Sequence, residues 1–168
     1  PKDNYKKKVR LPTTYEKDEI ERILESIDRG NPKGKRDYAI ILLVAKLGLR
    51  ASDICMMKFQ NLLWEQNMIV LDQQKTGKRI ELPLLSEIGN AIIDYLKYAR
   101  PQSEEPYVFL HVNPRYERLK GSTIHSIVSQ YMRKAGIRNI SKKKHGPHAL
   151  RHSLAGFLLE NKTPLPII

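Results

Sequence analysis

The sequence has one cysteine, Cys55, in 168 residues. That excludes an internal disulfide and any cysteine-rich zinc site, so neither kind of staple supports the fold. It also lacks an apolar run of bilayer-spanning length, and no signal-peptide pattern opens it, so the expectation is a soluble cytoplasmic protein with no membrane partner. Acidic residues are in short supply: 18 Asp+Glu stand against 30 Lys+Arg, a formal net charge of +12 and a pI near 9.8. That surplus exceeds what solubility requires and points to a polyanionic partner, nucleic acid before a membrane surface. Internal repeats and low-complexity segments are absent as well. What remains is a chain long enough for one globular domain with a real core. Cys55 itself lies in an apolar stretch and reads as core.

Residues 1–12 are polar, basic (Lys6, Lys7, Lys8) and without periodicity, like a linker arriving from something upstream. The domain proper starts at Thr13. Thr13 and Glu16 have capping-box spacing, and Ile20, Ile23, Leu24 and Ile27 recur on one face until Gly30-Asn31-Pro32 ends the helix. Tyr38 to Leu47 is apolar nearly all round, as a helix packed on every side requires, with Gly48 as its stop. A shorter helix begins at Ala51 or Ser52. Met68–Leu71 and Arg79–Leu84 form a β-hairpin whose tip holds Lys75 and Lys78. Ser86 caps a helix that Pro101 forbids from continuing far, and Tyr107–Leu110 forms a third strand or a buried extended segment. A further helix covers Ser122–Ala135 and closes at Gly136. In His145-Gly146-Pro147-His148, Pro147 suits a first helical position, which puts His148 and Arg151 on one face of a last helix. The domain is therefore mainly α with a small antiparallel β element, an α+β fold.

Three basic stations each follow a stop or turn, where side chains can converge on a ligand: Arg50 after Gly48, Lys75 on the hairpin, and the His148/Arg151 pair. Two arginine forks can clamp a phosphodiester and hold the charge that grows in a pentacoordinate transition state. A lysine among cations can give a proton to a leaving alkoxide, and a histidine can donate to the phosphate or shuttle a proton. Taken singly, each has a plainer reading. Arg50 fits a surface ion pair with Asp53, Lys75 a soluble hairpin edge, His148 a solvated helix start, and His152 a packed, hydrogen-bonded interior residue.

Their order and surroundings decide. GLRASDI at Gly48–Ile54, KTGKRIELPL at Lys75–Leu84 and HALRHS at His148–Ser153 together resemble the tyrosine recombinases, or phage integrases. The resemblance runs from Thr13 to Ile168 and implies that family's catalytic-domain fold. It also implies transesterification on double-stranded DNA without metal, nucleotide or other cofactor. In the family a tyrosine attacks a backbone phosphate, leaving a 3′-phosphotyrosyl bond and a free 5′-hydroxyl. On matching positions Arg50 and Arg151 would clamp the phosphate, Lys75 (or, less well placed, Lys78) would protonate the leaving oxygen, and His148 would assist proton transfer. Asp53 and His152 would support them.

The pattern also departs from the family. All eight tyrosines precede His148, so no tyrosine stands at the nucleophile's place in the motif order. The expectation is a catalytic domain, residues 13–168, incomplete at its C-terminus, that binds DNA without cleaving it. The full-length protein is expected to act as a homotetramer on DNA in the cytoplasm, associated with the nucleoid. Two rival readings are a non-catalytic DNA-binding module, or decayed integrase relic, and a nuclease using His148 and His152 as acid and base.

Overall fold

The computed structural model describes residues 17–137. The readings of residues 1–12, of the Thr13/Glu16 capping box and of the helix from Pro147 lie outside the described residues.

The centre of the domain is a helix whose sequence is apolar on every side. Helix α1, Lys17–Glu25, precedes it, and helix α2, Pro32–Leu47, holds seven consecutive residues, Ala39 to Ala45, with no exposed surface. α2 starts six residues before the apolar run. Asn31 caps it by accepting from the Gly34 N–H at 2.8 Å, and Pro32 takes the first turn, where its missing N–H costs nothing. Gly34 is required there, because a Cβ would run into the Asp28 carbonyl. α1 buries Ile20, Ile23 and Leu24 as its spacing predicts, but it ends earlier than expected, where the Ser26 hydroxyl turns back to donate to the Ile23 carbonyl at 2.6 Å.

A short helix α3, Ala51–Cys55, leads through a 3₁₀ turn, Phe59–Asn61, into a three-stranded antiparallel sheet: β1 Leu62–Leu63, β2 Met68–Asp72 and β3 Arg79–Pro83, in the order β1-β2-β3. β2 and β3 pair in the register Met68↔Pro83 through Asp72↔Arg79, the hairpin expected. The third strand is Leu62–Leu63, paired Leu62↔Ile69, and not Tyr107–Leu110. The latter is the buried extended segment, joined to its surroundings by single bridges Lys58↔Tyr107 and Leu110↔Arg118. Arg100 shapes its approach by donating to the carbonyls of Val108, Glu105 and Tyr107 at 2.6–3.0 Å. Helix α4, Ser86–Tyr98, packs on α2. Its N-cap is Leu85 rather than Ser86, and no side chain caps it. Helix α5, Gly121–Lys134, packs on α1 and α3, and Gly136 follows it at φ 75°.

One polar cluster sits in this core. The Asp37 carboxylate is fully buried. It accepts from Tyr131 Oη at 2.8 Å, Lys33 Nζ at 2.9 Å and the Arg36 guanidinium at 2.9 Å, fastening α5 to α2. A buried charge is tolerable only when so paired. Burial first, and then the Asp37 charge, push the Tyr131 phenol above its ordinary pKa of 10. Burial does the same at Tyr95, whose hydroxyl accepts from the Leu110 N–H at 3.1 Å.

Tyr131→Phe removes one donor from Asp37 and should cost about 1–3 kcal/mol in urea unfolding; no measurable loss would contradict the cluster's role. The folded protein holds both phenolic protons more tightly than the unfolded chain does. Stability is therefore complete below the ordinary tyrosine pKa of 10 and falls as pH rises past it. Melting curves should show that alkaline loss, shallower in Tyr131→Phe.

Candidate functional site

The site begins where α2 is forced to stop. Gly48 takes the left-handed conformation at φ 67°, and its N–H closes on the carbonyl of Val44 at 3.0 Å. Leu49 returns to the core, and Arg50 follows in extended backbone as the N-cap of α3, half-buried and with no side-chain cap bond. Among the described residues Arg50 forms no ion pair, so the plain reading of an Arg50–Asp53 surface pair does not hold.

Asp53 is 3% exposed in the first turn of α3. Its Oδ1 accepts the main-chain N–H of Gln74 at 2.8 Å, a charge-assisted bond across 21 residues of sequence. Among the described residues its Oδ2 is buried without a partner. Gln74 lies in the hairpin turn and Lys75 is the next residue. The bond thus brings the lysine turn against the helix that Arg50 opens. Lys75 and Lys78 are both exposed, neither is ion-paired among the described residues, and Gly77 at φ 73° lets the turn close. His148, Arg151 and His152 lie outside the described residues.

Three more cations stand at this corner that the sequence reading did not single out. Lys120 is the N-cap of α5, and the first residue of that helix, Gly121, would place a Cβ 4.0 Å from that of Ala51, so the starts of α3 and α5 meet. Arg118 Cζ lies 5.4 Å and Lys58 Nζ 5.7 Å from the centre of the Tyr107 ring. One signal was present in the sequence: α5 contains no acidic residue. The charge is also unevenly distributed. Residues 17–137 hold 19 Lys+Arg and 15 Asp+Glu, and five of those acids fall within Asp18–Asp28, on and just after α1. Around α3 Asp53 is buried and Asp72 is exposed at the edge of the cleft beside it, while Arg50, Lys58, Lys75, Arg118 and Lys120 are at least partly exposed. Such a corner can bind an oxyanion, and Asp53 Oδ2 can accept from one further donor.

Residues 14–168 match the phage integrase family, and the chain belongs to it. It is 33% identical over 160 residues to the tyrosine recombinase XerA of Pyrococcus furiosus, covering 94% of this chain and 52% of that protein. It is 30% identical over 158 residues to the tyrosine recombinase XerD of Listeria innocua, covering 92% and 52%. The chain thus spans about half the length of these relatives. Among solved structures it resembles a XerA recombinase with a TM-score of 0.75 at 26% identity, covering 92% of this chain and 52% of that one. It also shares the fold of the lambda integrase catalytic core, with a TM-score of 0.67 at 20% identity and 89% and 88% covered. The mostly helical body with its small antiparallel sheet is the catalytic-domain fold of the tyrosine recombinases.

Cys55 adjoins Arg118 in the wall of this corner. Burial raises its thiol above the ordinary value of 9.0 although the positive charge of Arg118 opposes the shift, and its Sγ donates to the Ala51 carbonyl at 3.0 Å. Native protein should therefore resist a thiol reagent such as Ellman's at pH 8 and react fully once unfolded; rapid native labelling would contradict this packing.

Proposed function

We propose that residues 13–168 form the catalytic domain of a site-specific DNA recombinase. In the full-length protein it would break and rejoin DNA strands through a 3′-phosphotyrosyl intermediate. The observation that carries the reading is the Asp53–Gln74 bond, which sets the lysine turn beside the helix capped by Arg50 in a chain that matches the family over residues 14–168. Arg50 and Arg151 clamp the scissile phosphate, Lys75 protonates the leaving 5′-oxygen, and His148 contacts the phosphate and assists the proton's transfer. Asp53 and His152 hold these groups in place. The partner is double-stranded DNA, and a related solved structure, a XerH recombinase, is bound to its difH substrate. The full-length protein works as a homotetramer on DNA, in the cytoplasm with the nucleoid.

The roles follow from chemistry. Cleavage breaks the P–O5′ bond as a tyrosine oxygen bonds to phosphorus. Negative charge grows on the non-bridging oxygens, where two guanidinium forks oppose it, and the departing oxygen needs a proton, which an ammonium group can give. None of the eight tyrosines follows Arg151, so these 168 residues should bind DNA and form no covalent adduct.

Two measurements test this. If about six phosphates are neutralised, log affinity for a duplex should fall against log salt with a slope near −5. Arg50→Ala should lower that slope by about one unit. A flat salt dependence contradicts the basic corner. On a denaturing gel, a suicide DNA substrate should leave the chain unshifted; a protein–DNA adduct overturns the expectation that none of these eight tyrosines is the nucleophile.

A further inference from the structure

The cations around α3 fall into two groups, one at each end of that helix. Arg50 caps its start, and Lys120 comes to the same end because Gly121 lies beside Ala51. Arg118 stands at the other end, next to the Cys55 thiol. Residues 118–121 therefore run along α3 in the opposite direction, held there by Leu119, which has no exposed surface. Lys58 joins Arg118 through Tyr107. Lys58 and Tyr107 face one another in a β-bridge, beside the Val108 N–H that donates to the Met57 carbonyl at 2.9 Å. Arg118 Cζ and Lys58 Nζ lie 5.4 Å and 5.7 Å from the centre of that one ring.

Tyr107 is half-buried and fixed from behind, its carbonyl accepting from Arg100 Nη2 at 2.6 Å. Among the described residues neither Lys58 nor Arg118 is in an ion pair, although Asp72 lines the same cleft as Lys58 and Glu117 precedes Arg118. A ring face attracts a cation without neutralising it. An anion shared by the two would neutralise both. Arg118 uses Nη1 on the Leu119 carbonyl at 3.1 Å and has further donors in its fork.

We propose that Lys58 and Arg118, set in place by the Tyr107 ring, form a second phosphate site, which takes a non-scissile backbone phosphate of the duplex apart from the one that Arg50 serves. The length of α3 supplies the separation. A helix of five residues is about 7.5 Å long, whereas phosphates follow one another along a strand about every 3.4 Å of axis. That the anion is DNA rests on the recombinase reading; the pairing of two cations on one ring does not.

A fluorescently labelled 30-base-pair duplex, titrated over a range of salt, reads the site. The native slope near −5 should become about −4 in Lys58→Ala/Arg118→Ala, one phosphate fewer, and about −3 when Arg50→Ala is added. An unchanged slope in the double variant, with the native slope still near −5, overturns the second site and leaves the recombinase reading standing. No further change on adding Arg50→Ala overturns it as well, because all three side chains would then serve one phosphate. A flat native slope contradicts the recombinase reading, and the second site with it. Arg22→Ala, among the acids of α1, should keep the native slope; a loss of about one unit there too would mean that only net charge matters, and contradicts a localised site.

The role of the ring is read in two backgrounds. Tyr107→Phe keeps the ring and should bind as the native chain does, whereas Tyr107→Leu should bind about threefold more weakly. In Lys58→Ala/Arg118→Ala the leucine should have no further effect. A threefold loss in both backgrounds would make Tyr107 a residue of the fold alone and contradicts its positioning role. The salt slopes test the site even if Tyr107→Leu does not fold.

Discussion

The structure depends on the all-round burial of one helix. Ala39 to Ala45 have no exposed surface, so α1, α4 and α5 must pack around α2, and none of its faces is left for chemistry. Function is pushed to its ends. At the N-terminal end the burial is relieved by charge, with Asp37 satisfied by Lys33, Arg36 and Tyr131. At the C-terminal end Gly48 turns the chain out through a conformation that side chains resist, and the first charged residue beyond it is Arg50.

The second constraint is local to that end. Asp53 sits in the first turn of α3 because Arg50 has already started that helix, and from there its carboxylate captures an amide 21 residues away. Ile69 and Leu71 seat the hairpin in the same core as Ile54, and among the described residues one charge-assisted bond ties its exposed tip to the five-residue helix. The start of α5, where Gly121 lies beside Ala51, adds Lys120 to the same corner. Within residues 17–137 the result is a cation-rich corner around a buried acid, and the other charges of those residues balance.

Much of this was legible in the sequence because it rests on repetition or on turn chemistry. The burial of α2, its stop at Gly48, the start of α3, the β2–β3 hairpin and the inward face of α5 each follow from period or punctuation. The family resemblance rested on three short motifs, and the match over residues 14–168 bears it out. The rest depends on contacts that leave no such trace. β1 is two residues long and looks like any apolar pair. The early start of α2 was hidden because Lys33, Arg36 and Asp37 look like surface, and their partner Tyr131 is 94 residues from Asp37. The tether was invisible for a different reason: its donor is a backbone amide, so the identity of residue 74 carries no signal, and Asp53 alone reads equally well as an ion-pair partner of Arg50.

The central claim is that Arg50 and the hairpin lysine serve one phosphate. The most direct measurement replaces each phosphate of a bound duplex in turn by a neutral methylphosphonate and compares the native chain with Arg50→Ala and Lys75→Ala. The account predicts that one position abolishes the affinity difference of both variants from the native chain. Loss of the two differences at separate, non-adjacent phosphates would contradict it.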